Sequence, residues 1–422
     1  MESKTDQPRR KMTSYTIDPE IAAAITDQIE KHKDREIRKI NDVIHQNPEL
    51  AYKEQQAHDN FVAMLRWLGF AVTPHAYGLH TAFSAEAGSG GRLIVLNAEY
   101  DALPGIGHAC GHNLIASAAL AAYLGLAAAL AKAGPGAGRV RLLGTPAEEG
   151  GGGKLKLIAA GAYTGAAASL MVHPGASYLL TPPVREVAFV RMLANVKYQV
   201  FFTGRPAHAA MAPWDGVNAL DAVCLAYNAV SMLRQQMRPH ERVHGVFRAA
   251  GERPNVTPAE TCVEYYVRSD TRAAAEALWL RVQKCFEGAA VATGCGVRYE
   301  RLNSYADVRP SRALCRAYVD AMPPGTVAFA DPPDFLAGST DMGDVTYECP
   351  GFHGAFGIDT EVGQSNHTPA FAAAAGTVES FRRAVGCGRG MALAAWRVLS
   401  DDAFAEEMRA EWEADIHAAK EG

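Results

Sequence analysis

Within seven residues, Gly107-His108-Ala109-Cys110-Gly111-His112-Asn113, the chain carries two imidazoles and a thiol. Glu148 and Glu149 are adjacent in GTPAEEGGGGK, His173 lies in LMVHP and His367 in NHTPAF. Singly, each has an ordinary explanation. A lone cysteine is usually a core residue, a histidine at a strand end is more often hydrogen-bonded structure than ligand, and paired glutamates usually face solvent. Together, Cys110, His112, Glu149, His173 and His367 supply thiolate, imidazole and carboxylate, the donors that borderline transition metals take. Five ligands exceed the needs of one tetrahedral ion, so two divalent ions sharing bridging groups is the economical reading, with Zn2+ and Mn2+ both suited. Glu148 is then the carboxylate left beside the ions, in the place of a general base. A rival reading makes Cys110 a nucleophile with His108 or His112 as its base. It leaves Glu148, Glu149, His173 and His367 without roles.

These residues must be brought together by the elements that carry them. Leu93–Asn97, Arg139–Thr145 and Ser169–His173 are short apolar runs that read as strands. They alternate with helical patterns at Leu114–Ala131 and Lys154–Ala160. Such alternation predicts an α/β fold with a mostly parallel sheet covered by helices. The candidate ligands follow the strands, where ligands gather in such sheets. Pro19–Leu68 reads as helices with a break at Asn47-Pro48. From Asn195 the rhythm changes to a β-α-β-β-α-β order: strands at Asn195–Thr203, Val243–Ala249, Thr261–Asp270 and Gly296–Leu302, helices at Asp215–Gln235 and Thr271–Val291. That order predicts a ferredoxin-like α+β module inserted at 194–309 into a discontinuous domain of residues 1–193 and 310–422. The chain ends in two helices, Ala373–Leu399 and Asp402–Ala419.

The 422 residues, 48% hydrophobic and 21% charged, suit a globular protein of two domains. A formal charge of −5, without a lysine or arginine block, gives no attraction to nucleic acid or anionic membrane. The polar first twenty residues lack the apolar core of a secretory signal. The Ala-rich run at Leu114–Ala131 reads as a buried helix rather than a membrane span. Eight scattered cysteines without a CxxC pair fit a reducing, cytoplasmic setting.

The segments EYDALPGIGHACGHN, GTPAEEGGGGK, LMVHP, GRPAHAA, STDMGDV and NHTPAF follow one another in that order. The sequence resembles the two-metal aminoacylase/carboxypeptidase family of metallopeptidases from about residue 35 to residue 400. Within it, the chain is most similar to the amidohydrolase branch of p-aminobenzoyl-glutamate, hippurate and indole-acetyl-amino-acid hydrolases. The resemblance implies a metal-binding domain interrupted by a lid that commonly mediates dimerisation, so a homodimer is expected. It implies that Cys110, His112, Glu149, His173 and His367 hold the metals and that Glu148 is the general base. It further implies that His208, in GRPAHAA, polarises the scissile carbonyl, often across the dimer, and that Asp101 orients a ligand histidine. Asn255 and Arg268 match lid positions that meet the substrate. Two departures stand out. Asn113 replaces an aspartate common in relatives, which changes the charge near the metals, and Gly165-Ala166-Ala167-Ala168 lacks their acidic residue.

The expected reaction on a small molecule is hydrolysis of a C–N bond, chiefly the amide of an N-acyl amino acid, an aminobenzoyl-glutamate-like compound or a dipeptide. Metal-bound hydroxide would attack after Glu148 takes its proton. Hydrolytic deamination of an activated aromatic amine would use the same apparatus, and a non-catalytic metal-binding regulator would keep the same fold.

Overall fold

The computed structural model describes residues 15–329, 335–336 and 338–421; the polar start read from residues 1–14 lies outside these. Its larger sheet has eight strands. In spatial order they are Ala71–Pro74, Phe83–Ser89, Gly138–Gly144, Leu93–Ala98, Ala166–Ala176, Gly351–Ile358, Glu186–Val187 and Val327–Ala328. The four central strands, from Gly138–Gly144 to Gly351–Ile358, run parallel. Outside them, Phe83–Ser89 is antiparallel to both its neighbours, and Glu186–Val187 is antiparallel to Gly351–Ile358 but parallel to Val327–Ala328. The sheet is therefore mostly parallel, as the alternation predicts. Phe83–Ser89 was not anticipated. Its small residues (FSAEAGS) give little apolar pattern, and pairing with Gly138–Gly144 holds it in the sheet.

The helix His112–Ala133 runs through the core. It is long and apolar enough to cross a membrane, yet 83% of its most apolar stretch is buried inside the protein. Its alanines let neighbouring helices come close. Gly388 of Val378–Ser400 lies so near that a Cβ there would sit 2.5 Å from the Ala118 carbonyl. The single C-terminal helix expected at Ala373–Leu399 is two helices, Pro369–Ala375 and Val378–Ser400. Gly376 ends the first, and the Thr377 hydroxyl caps the second by accepting from Ser380 N at 3.2 Å.

The smaller sheet is antiparallel throughout, in the order Gly296–Arg301, Ala194–Thr203, Glu260–Ser269, Arg242–Ala249. Alternation at period two decides its faces. Val196, Val200, Phe202, Val263, Tyr265 and Val267 pack under Ala219–Met232 and Arg272–Thr293 in a core of their own. The odd residues of Ala194–Thr203 and the even ones of Glu260–Ser269, Lys197, Glu264, Tyr266 and Arg268 among them, therefore share the helix-free face.

Candidate metal centre

His112 is the first residue of its helix. Gly111 before it holds φ 77°, and a Cβ there would come within 2.5 Å of Pro174, so only glycine fits this turn. The Asp101 carboxylate accepts from His112 Nδ1 at 3.0 Å and from the Glu149 backbone N–H at 2.8 Å. One carboxylate thus orients both side chains. The His112 Nε2 atom is left free to face Glu99 (3.6 Å), Glu148 (3.9 Å) and Glu149 (4.0 Å). His173 gives Nδ1 to the Pro174 carbonyl at 2.8 Å and turns Nε2 toward Cys110 Sγ at 3.5 Å. His367, itself at φ 70°, donates its backbone N–H to Ala109 O at 2.8 Å and brings Nε2 within 3.3 Å of Glu149.

Three interlocking groups result: Cys110–His112–His173, Cys110–Glu149–His367 and His112–Glu148–Glu149, with donor atoms within 4.8 Å of one another in each. Buried acceptors without a hydrogen-bond partner converge here, His112 Nε2 and Glu99 Oε2 among them. Orphaned donors of these types, clustered and buried, suit divalent cations.

The two adjacent glutamates are electrostatically distinct. Burial, reinforced by Glu99 and Glu149, pushes Glu148 far above the usual carboxylate range. Burial also raises Glu149, but the hydrogen bond from His367 and the charge of His112 outweigh it and hold it at about 2. Carboxylates pushed apart in this way suit different roles. Burial raises the Cys110 thiol, opposite to what an activated nucleophile needs. His108 is no base for it: burial lowers its imidazole to about 3, and neither ring nitrogen has a hydrogen-bond partner.

Other expected residues lie elsewhere. Asn113 points away from the cluster, donating to Asn41 Oδ1 and the Ala375 carbonyl, both at 2.9 Å. Its amide ties helices together, so the expected change of charge near the metals does not occur there. His208 is exposed, and its Nδ1 accepts from Ala210 N and Met211 N within its own loop. Among the described residues, His208 is in none of the three groups. Asn255 is exposed, with its carbonyl bonded to Ala209 N. Arg268 donates to Ser339 Oγ at 2.7 Å, reaching from the smaller sheet to the loop before Met342–Glu348.

Sequence reasoning passed over three groups. Glu99, Lys154 and Asp341 form a fully buried network in which Lys154 Nζ pairs with Glu99 and, at 2.7 Å, with Asp341. Burial opposes the Lys154 charge, but the two carboxylates hold it protonated. A lysine ending a run of four glycines was the available signal. Glu54, also fully buried, accepts from Ala147 N at 2.9 Å and fixes that residue at φ 63°, just before Glu148. Such strain persists only when its surroundings impose it. Tyr305 donates to the Glu148 carbonyl at 2.8 Å from the segment following the smaller sheet.

With this geometry in place, similarity to known proteins decides the family. Residues 95–387 match the model of peptidase family M20/M25/M40. The chain belongs to this family. The Xaa-Arg dipeptidase of Mus musculus is 39% identical over 385 residues, 87% of this chain and 87% of that protein. One of the subunits of the Escherichia coli K12 p-aminobenzoyl-glutamate hydrolase is 33% identical over 321 residues, covering 72% of this chain and 65% of that protein. A Bacillus subtilis protein described as a dinuclear metal-binding M20 peptidase shares the fold at TM-score 0.60 and 20% identity, covering 90% of this chain and 99% of that one. This M20 member is therefore a metal-dependent hydrolase of amide bonds acting on small molecules.

Proposed function

We propose that this chain hydrolyses the amide of an N-acyl amino acid, an aminobenzoyl-glutamate-like conjugate or a dipeptide, with Cys110, His112, Glu149, His173 and His367 holding two divalent ions, Zn2+ or Mn2+. The convergence of those five donors on orphaned acceptors beside Glu148 carries the reading. The bound ions would polarise the scissile carbonyl and acidify a water molecule. Glu148 takes the proton of the attacking water and delivers it to the leaving amine. Its raised affinity for a proton suits both transfers. Asp101 holds His112 and the Glu149 backbone in place throughout. Amide cleavage rather than deamination is supported by the relatives, whose names specify dipeptides and acyl-amino-acid conjugates.

His208 acts as an oxyanion donor from the lid of a second copy. Its Nδ1 accepts backbone N–H groups, which leaves Nε2 to carry the donating proton. Beside it Met211 and Trp214 are 74% and 77% exposed, an apolar surface suited to burial in a homodimer. Asn255 and Arg268 meet the substrate from the same module, residues 194–309, which serves as the lid.

Metal analysis of the purified protein, with a screen of N-acyl amino acids, dipeptides and arylamines, tests the reading. Two ions per chain with release of a free amino acid supports it. Ammonia release from arylamines alone would replace it with the deaminase reading.

A further inference from the structure

Glu148 and Glu149 share one peptide unit, and its orientation decides where both side chains point. The bond is trans, so the Glu148 carbonyl and the Glu149 N–H face opposite ways. On one side the Asp101 carboxylate accepts from Glu149 N at 2.8 Å. On the other, the Tyr305 hydroxyl donates to the Glu148 carbonyl at 2.8 Å. Gly150 N also donates to that carbonyl, at 2.7 Å, but it belongs to the same loop and turns with it. Of the two donors, Tyr305 is the one that ties the carbonyl to a separate part of the protein. The loop needs such a tie, because glycines fill positions 150–153 and impose little conformational preference of their own.

Tyr305 is itself braced. It is buried, its carbonyl accepts from Asn195 N at 2.9 Å, and its N–H donates to Asn195 Oδ1 at 3.0 Å. These two residues lie where the chain enters and leaves the smaller-sheet module. The Lys197 ammonium lies over the Tyr305 ring at 4.5 Å. Asn303 Nδ2 donates to the hydroxyl at 2.9 Å, which leaves its proton for Glu148. A donor already immobilised fixes its acceptor with little further loss of rotamer freedom.

We propose that Tyr305 is a positioning residue for the general base. By pinning the peptide between Glu148 and Glu149, its hydroxyl keeps the Glu148 carboxylate aligned for proton transfer while Glu149 stays turned to the metals. It acts through the backbone of Glu148 and not on the substrate. This rests on the reading of Glu148 as the base of amide hydrolysis.

Tyr305→Phe removes the hydroxyl and keeps the ring under Lys197. It is assayed as the Mn2+-loaded protein on the fastest substrate from a panel of N-acyl amino acids and dipeptides. The value of kcat should fall about ten- to a hundred-fold, between the loss of one neutral hydrogen bond and the displacement of a reacting group. KM, metal content and the unfolding midpoint should stay at wild-type values. In Glu148→Ala, which has no base to align, adding Tyr305→Phe should leave the residual rate nearly unchanged. In the metal-free protein, amide hydrogen exchange across residues 145–153 should quicken about ten-fold in Tyr305→Phe. A wild-type kcat, a loss carried by KM, an equal further loss in Glu148→Ala or unchanged exchange each overturns the proposal. Near-normal turnover in Glu148→Ala sinks the base reading instead. An inactive Glu148→Ala beside a fully active Tyr305→Phe sinks only the role of Tyr305. If no substrate of the panel is cleaved, the amidase reading fails and the exchange result still decides whether Tyr305 anchors the loop.

Discussion

The floor of the cleft and the helix-free face of the smaller sheet hold their charges in different ways. On the floor, Glu99, Glu148, Glu149 and Asp341 crowd around imidazoles and one lysine, and Glu99 Oε2 has no hydrogen-bond partner. On the helix-free face, Lys197 is a buried cation held over the Tyr305 and Tyr266 rings, and the half-buried Arg268 bonds Ser339 Oγ. Tyr305 connects the two. The anionic excess on the first suits divalent cations. A purely structural network looks different, and Lys154 between Glu99 and Asp341 supplies the contrast.

The sharpest way to break this comparison is at Glu148. Glu148→Ala should lower kcat by roughly 10⁴-fold while metal content stays at the wild-type level. Near-normal turnover in a metal-loaded variant would remove Glu148 from the chemistry.

Lys154→Met tests whether the balanced network differs in kind from the unbalanced floor. It leaves Glu99 and Asp341 buried without their cation, so denaturant unfolding should show a loss of about 3–5 kcal/mol. A loss below about 1 kcal/mol, the worth of an exposed pair, would mean that the network is not the structural element the comparison makes it.

His208→Ala asks whether the lid takes part in the reaction. A loss of about 10²–10³ in kcat with metal retained is expected for one oxyanion donor. Mixing His208→Ala with Glu148→Ala chains should restore part of the activity if the histidine crosses between copies. No restoration would place the whole site within one chain.

The smallest effect sits beneath the floor. Burial, with the charge of Asp101, raises Glu54 from 4.5 to about 7. A carboxyl whose folded pKa is raised stabilises the fold below its unfolded value, and that contribution is lost as pH rises from about 4.5 to 7. The shift corresponds to at most about 3 kcal/mol. Glu54→Gln should therefore flatten the fall in stability over that interval, measured by denaturant unfolding at a series of pH values. An unchanged slope would mean that Glu54 does not carry the titration.

Much of the site was legible because ligand chemistry is written in residue types. Cys110, His112, Glu149, His173 and His367 are the side chains a metal requires, and each follows a strand or sits in a loop that local patterning exposes. The β-α-β-β-α-β order and the alternation along Ala194–Thr203 likewise depend on neighbours in sequence. The single helix read over Ala373–Leu399 missed a break that one glycine and one capping threonine impose.

What the chain alone determined is thus the donor set, the order of elements and the face each residue takes, since these follow from composition and periodicity. Only the tertiary structure decided that Asn113 turns away from the metals, that His208 bonds within its own loop and that Lys154 is paired with carboxylates while Lys197 lies over tyrosine rings. Burial and Coulomb interaction depend on distance in space, and the residues concerned lie tens to hundreds of positions apart along the chain.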